Sequence, residues 1–101
     1  MIVKDYFDND INVAPYIAKY HNGNLAIRLT TYEGEPWATL TVNLGNKLPE
    51  GHAYVDINNC PWAREFIEKY GLGEWTGGMG HSGFCVYPLY SFDLTKLGEE
   101  L

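Results

Sequence analysis

Apolar side chains recur with a period of two along most of this chain and with a period near 3.6 in only one stretch. That contrast restricts the fold more than any other feature. Leu25, Ile27 and Leu29 alternate with Ala26, Arg28 and Thr30, the pattern of a half-buried strand whose successive side chains point to opposite faces. Trp37, Thr39, Thr41 and Asn43 alternate in the same way with Ala38, Leu40, Val42 and Leu44, and Ala53, Val55 and Ile57 with Tyr54 and Asp56. Between Pro61 and Tyr70 the period changes: Trp62, Ala63, Phe66, Ile67 and Tyr70 form one stripe, and Arg64, Glu65, Glu68 and Lys69 the other. This is an amphipathic helix. The combination predicts an α+β fold, an antiparallel sheet of about five strands with one amphipathic helix packed on one face.

Turn residues punctuate these runs. Asn22-Gly23 predicts a two-residue type I′ hairpin between the Tyr16–His21 run and the strand at Leu25, because both turn positions need positive φ. Glu33-Gly34-Glu35 turns the chain again, and Gly45, Asn46, Pro49 and Gly51 mark a longer loop. Asn58 or Asn59 is expected to cap the helix start, with Pro61 in its first turn. Gly71 is expected in a left-handed cap that brings Leu72 to Ile67, while Arg64–Glu68 and Glu65–Lys69 are spaced as i,i+4 ion pairs. The first dozen residues read as a short strand or arm that Pro15 keeps from becoming helix. Gly73 to Gly83 contains five glycines and reads as a mobile loop. Phe84 to Phe92 reads as an aromatic strand that Pro88 confines to a sheet edge or a bulge; an edge there leaves pairing with a second copy open. Asp93 is expected to cap a final helical turn within Asp93 to Leu101.

The 101 residues suit a single domain spanning 1–101, and apolar and aromatic fractions of 46% and 15% are ample for a core without staples. No stretch reaches the roughly 20 apolar residues of a membrane span, and the opening residues lack the charged and apolar regions of a signal peptide. The expected compartment is therefore cytoplasmic, with no membrane partner and with Cys60 and Cys85 as reduced thiols. A net charge of −6 with seven scattered Lys and Arg argues against direct nucleic-acid binding, which needs clustered cations. The same acidity suits engagement of a basic protein surface.

Catalytic patterns are weak. Gly78-Met79-Gly80-His81-Ser82-Gly83 fits a dinucleotide-binding spacing, but that fingerprint must follow a strand and open a helix within a βαβ unit, whereas an aromatic strand follows here. His81-Ser82 lacks the spacing of a nucleophile and its base. His21, His52, His81, Cys60 and Cys85 share no short ligand spacing, so no metal and no cofactor are expected. Cys60, near a helix start, is a candidate for a lowered thiol pKa. A small enzyme or ligand-binding protein would have to use residues 73–83 as a lid over His81, Ser82 and Cys60 or Cys85. The stronger candidates are interface residues: Trp37, Trp75, Met79 and His81, together with the acidic helix face at Glu65 and Glu68.

Four strings in order, Gly23-Asn24-Leu25-Ala26, Gly34-Glu35-Pro36-Trp37-Ala38-Thr39-Leu40-Thr41-Val42-Asn43-Leu44, Asn58-Asn59-Cys60-Pro61-Trp62 and Ser82-Gly83-Phe84-Cys85-Val86-Tyr87-Pro88-Leu89-Tyr90, carry a resemblance. The chain resembles an uncharacterised family of small proteins from Firmicutes and their conjugative elements and phages, over most of its length beyond residue 15. The resemblance brings no assigned chemistry. It implies a context in which small acidic proteins bind a host restriction or CRISPR effector and block its nucleic-acid site. The expectation is a non-enzymatic protein-binding module, in one form an inhibitor of a host defence nuclease. An accessory role in element maintenance or transfer is the alternative from the same context.

Overall fold

A computed structural model describes residues 1–99. Along them run β1 (Ile2–Lys4), β2 (Asp10–Lys19), β3 (Leu25–Thr31), β4 (Pro36–Thr39), β5 (Thr41–Val42), β6 (His52–Val55), helix α1 (Ala63–Lys69), β7 (Gly73–Ser82), β8 (Cys85–Phe92), a 3₁₀ turn at Leu94–Lys96 and β9 (Gly98–Glu99). The fold is α+β and mostly antiparallel, but it has two sheets where one was expected. The first runs β1-β2-β3-β4, with β9 added to β2, and the second runs β5-β6-β8-β7. The β2–β9 pairing is parallel.

One alternating run contributes a strand to each sheet. The pattern from Trp37 to Leu44 reads as a single strand, yet it changes sheet at Leu40. The Leu40 N–H donates to Ile27 O at 2.8 Å in the first sheet, and its carbonyl accepts from Asp56 N at 2.9 Å beside the second. The alternation slips there: Leu40 and Thr41 are both buried. Burying Thr41 requires partners for its hydroxyl. Its Oγ1 accepts from Ile27 N at 3.1 Å and lies 3.0 Å from Tyr20 Oη, so a side chain takes over a ladder position.

The β2–β3 hairpin forms where expected, but with a different turn. Gly23 alone has positive φ (85°) there. The Gly23 N–H donates to Tyr20 O, and Tyr20 N–H to Asn24 O. This is a three-residue loop with a glycine bulge rather than a two-residue type I′ turn.

Helix α1 ends as its sequence predicts. Gly71 has φ 61°, its N–H donates to Glu68 O, and Leu72 N–H donates to Ile67 O, the double bond of a Schellman cap. Its start differs: Trp62 occupies the N-cap without a side-chain hydrogen bond. The buried carboxylate of Asp56 organises the approach instead, accepting from Asn59 N at 3.1 Å and Asn59 Nδ2 at 2.9 Å. At the far end of the chain Asp93 caps the 3₁₀ turn as expected, through Thr95 N; the rest of the expected final helix gives way to β9, and Glu100 and Leu101 lie outside the described residues.

Ala63, Phe66 and Ile67 of α1 join Leu25, Ile27 and Leu29 of the first sheet and Ala53, Val55, Tyr90 and Phe92 of the second in one apolar core. Strand β8 lies inside its sheet, between β6 and β7, so the edge expected at Phe84 to Phe92 belongs to β7. Pro88 is tolerated in β8 because the β6 pairing stops at Leu89 and the β7 partner strand changes register opposite it. None of the described helices is long and apolar enough to cross a membrane.

Candidate functional site

The segment expected to be a mobile loop is a strand. Residues 73–82 form β7 and pair with β8 from Gly73↔Phe92 to Ser82↔Cys85. Glycine is required there by packing: a Cβ on Gly80 would lie 2.5 Å from Tyr54 Cε1 and 2.6 Å from Leu44 Cδ1. The rear face of the hairpin is thus pressed against Tyr54 and Leu44, and Tyr87, the partner of Gly80, is buried.

One irregularity interrupts β7. Trp75 pairs with Tyr90 and Met79 with Pro88, so Thr76, Gly77 and Gly78 together face Leu89. This bulge satisfies its own polar groups. Trp75 Nε1 donates to Gly78 O at 2.9 Å, Thr76 Oγ1 donates to Leu89 O at 2.9 Å, and Gly78 N donates to Thr76 Oγ1 at 3.1 Å. Such bulges also make an edge strand a poor template for further pairing.

Cross-strand partners share a face. The register therefore puts Trp75, Met79 and His81 on the same front face as Tyr90, Pro88 and Val86. Helix α1 reaches the base of that face. Arg64 Nε donates to Tyr90 Oη at 3.2 Å, and the guanidinium lies 5.0 Å from the centre of the Trp75 ring, a cation–π contact. Beyond it Met79 and Val86 are exposed, and Phe84 projects fully into solvent at the turn. Trp75 itself is 49% exposed, while Tyr90 and Pro88 on the same face are buried. Phe84 and Val86 were not legible as site residues, because nothing local shows where the cover of α1 stops.

The other expected interface residues lie elsewhere. Trp37, expected at an interface, is half-buried and packs against Trp62 with ring centres 5.3 Å apart, the start of an aromatic row through Phe66 and Tyr70. Glu65 and Glu68 are exposed but face different neighbours. Glu65 lines a groove of about 400 Å³ between α1 and β1, with Ile2, Val3, Lys4, Trp62, Phe66 and Lys69. Glu68, four residues after Arg64, is on the flank nearer the hairpin. Arg64 is committed to Tyr90 and Trp75 rather than to the i,i+4 pair expected with Glu68.

Consecutive strand residues point to opposite faces, so His81 and Ser82 diverge, with Cys85 on the Ser82 side; no lid covers a shared His81–Ser82 centre. Cys60 is buried and its thiol is pushed up to about 11, first by burial and then by the charge of Asp56, the reverse of an activated thiolate. Among the described residues, no three His, Cys, Asp or Glu side chains converge as metal ligands.

No curated protein and no solved structure matches this chain. Residues 14–100 match the family described as a domain of unknown function, DUF4313. That segment includes both strands of the hairpin, the helix that braces it and the sheet switch at Leu40, so the chain belongs to the DUF4313 family.

Proposed function

We propose that this protein is a non-enzymatic protein-binding module whose contact surface is the front face of the β7–β8 hairpin. The observation that carries the reading is the set of exposed apolar side chains Trp75, Met79, Val86 and Phe84 on one hairpin, around the buried Pro88 and Tyr90, with the rear face of the hairpin packed. Large apolar side chains gathered on a rigid support are what an interface core requires. His81 lies on the same face and Glu68 on its flank, as a polar margin. The net charge of −6 favours a basic partner and speeds association with it.

In its specific form, the proposal is a cytoplasmic protein of a Firmicutes mobile element or phage that occludes the basic nucleic-acid surface of a host defence nuclease. The acidity suits contact with a basic surface, and the resemblance of the four sequence strings supplies the mobile-element context. Affinity capture from host lysate tests it, with Met79→Ser/Val86→Ser as the comparison. A nuclease recovered with the native chain, lost with the variant and inhibited in a cleavage assay bears the proposal out. A partner retained by the variant removes the hairpin from the contact, and a captured nuclease that cleaves normally removes the inhibitor form.

A further inference from the structure

A second surface stands apart from the hairpin. Between β1 and β2 the chain turns through Asp5-Tyr6-Phe7-Asp8-Asn9, and Tyr6 and Phe7 are 97% and 80% exposed. Single exposed aromatics are common on protein surfaces. Here two adjacent rings stand in edge-to-face contact, 5.6 Å apart, at the apex of a turn whose geometry is held. Asp5 Oδ1 accepts from Phe7 N at 2.9 Å and Asn9 N at 2.8 Å. Asp5 N donates to Asn9 O, and Asp8 N to Asp5 O. Asp8 has φ 65°, a conformation side-chain-bearing residues adopt sparingly. Lys4 and Asp10 close the base of the turn with a 2.8 Å ion pair, and Ile2 N donates to Tyr70 Oη at 2.6 Å, tying β1 to the residue that caps α1.

We infer that this tip is a recognition element, an aromatic pair on a held turn that packs against an apolar segment of the partner protein bearing lysine or arginine. The inference rests on the binding-module reading and adds a second contact to it. The rings supply the apolar contact, and holding the backbone of the turn before binding lowers the ordering cost of presenting them. Charge selects the lysine or arginine. From Lys4 to Asp10 the chain carries one ammonium against the carboxylates of Asp5, Asp8 and Asp10. An acidic setting of that kind disfavours nucleic acid, an anionic membrane or a second copy of this chain at net charge −6, and favours a cationic protein surface. The tip precedes residue 14, where the family match begins, so it lies outside the matched segment.

The test uses the intact protein and a random linear peptide library displayed on phage. Enriched peptides are measured against the native chain, Tyr6→Ser/Phe7→Ser, Asp8→Lys and Met79→Ser/Val86→Ser, with the melting temperature of each recorded. The inference predicts peptides that combine apolar residues with Lys or Arg. Their binding falls on the order of tenfold or more in the Tyr6/Phe7 variant and loses part of its salt dependence in Asp8→Lys, while the hairpin variant binds them as the native chain does. Peptides that lack Lys and Arg, or that bind the folded Tyr6/Phe7 variant undiminished, overturn it. Peptides lost only from the hairpin variant overturn the tip and leave the binding module standing. Enrichment of no peptide at all overturns the tip as well.

Discussion

At the scale of single residues, the same amino acid answers to different constraints along this chain. Gly80 has ordinary backbone geometry but no room, with Tyr54 and Leu44 within 2.6 Å of any added Cβ; Gly77 has open space but a φ of 89°. Gly80→Ala is therefore expected to destabilise the protein by about 1–3 kcal/mol through overpacking. Gly77→Ala should cost about 1 kcal/mol through backbone conformation alone. Urea denaturation of the two variants checks the order, and equal losses would show that space at Gly80 is not limiting. Cys60 carries a second prediction. Its thiol is raised from 9.0 to about 11 in the folded state, so between those values the unfolded chain loses the proton first. Below about pH 9 both states keep the proton and the group leaves stability unchanged. From 9 towards 11 stability falls, by at most about 1.4 kcal/mol per pH unit from this group. Cys60→Ala should flatten that part of a stability-against-pH curve, and an unchanged slope would assign it to another group. At neutral pH an alkylating reagent should modify Cys85 ahead of the buried Cys60.

Among the elements, α1 and β7 show how far local pattern carries. The seven residues of α1 are too few to be stable alone, and their boundaries are set from outside: Gly71 at one end and the Asp56 carboxylate before the other. Asp56→Ala should lower stability by about 1–2 kcal/mol, because the Asn59 donors lose their acceptor. Asp56→Asn, which keeps a carbonyl oxygen, should recover part of that loss, and thermal melts of both variants decide it. For β7 the measurement is hydrogen exchange. As a paired strand, its amides bonded to β8 should exchange with the protection of neighbouring strands, whereas a mobile glycine loop would exchange within the earliest time points.

For the whole molecule, the decisive position is Leu40. It is fully buried, bonds to both sheets through its backbone and contributes its side chain to the common core. Leu40→Ala should cost about 2–5 kcal/mol. Because both sheets and the helix share that core, the loss should appear in a single unfolding transition seen alike by tryptophan fluorescence and far-ultraviolet circular dichroism. Two separated transitions would mean that the sheets unfold independently. The exposed variant Tyr6→Ser/Phe7→Ser should leave the midpoint nearly unchanged, since surface substitutions away from caps and buried groups stay within about 0.5 kcal/mol, whereas Met79→Ser/Val86→Ser, at two more than half-covered strand positions, should lower stability by about 1 kcal/mol.

Periodicity and turn chemistry by themselves determined the α+β class, the β2–β3 hairpin, the single helix and its glycine cap, since each depends on residues within a few positions of one another. The change of sheet at Leu40 escaped that reading because alternation is the same whichever sheet a strand joins; what divides the run is the demand of Ile27 on one side and Asp56 on the other. The glycines of β7 suggested freedom, and only Leu44 and Tyr54, distant in sequence, made Gly80 a packing requirement. Trp75, Met79 and His81 were recognisable as residue types suited to an interface. Their placement on one face with Val86, past the end of the cover that Arg64 and α1 provide, was decided by tertiary structure, because exposure depends on what the rest of the chain leaves uncovered.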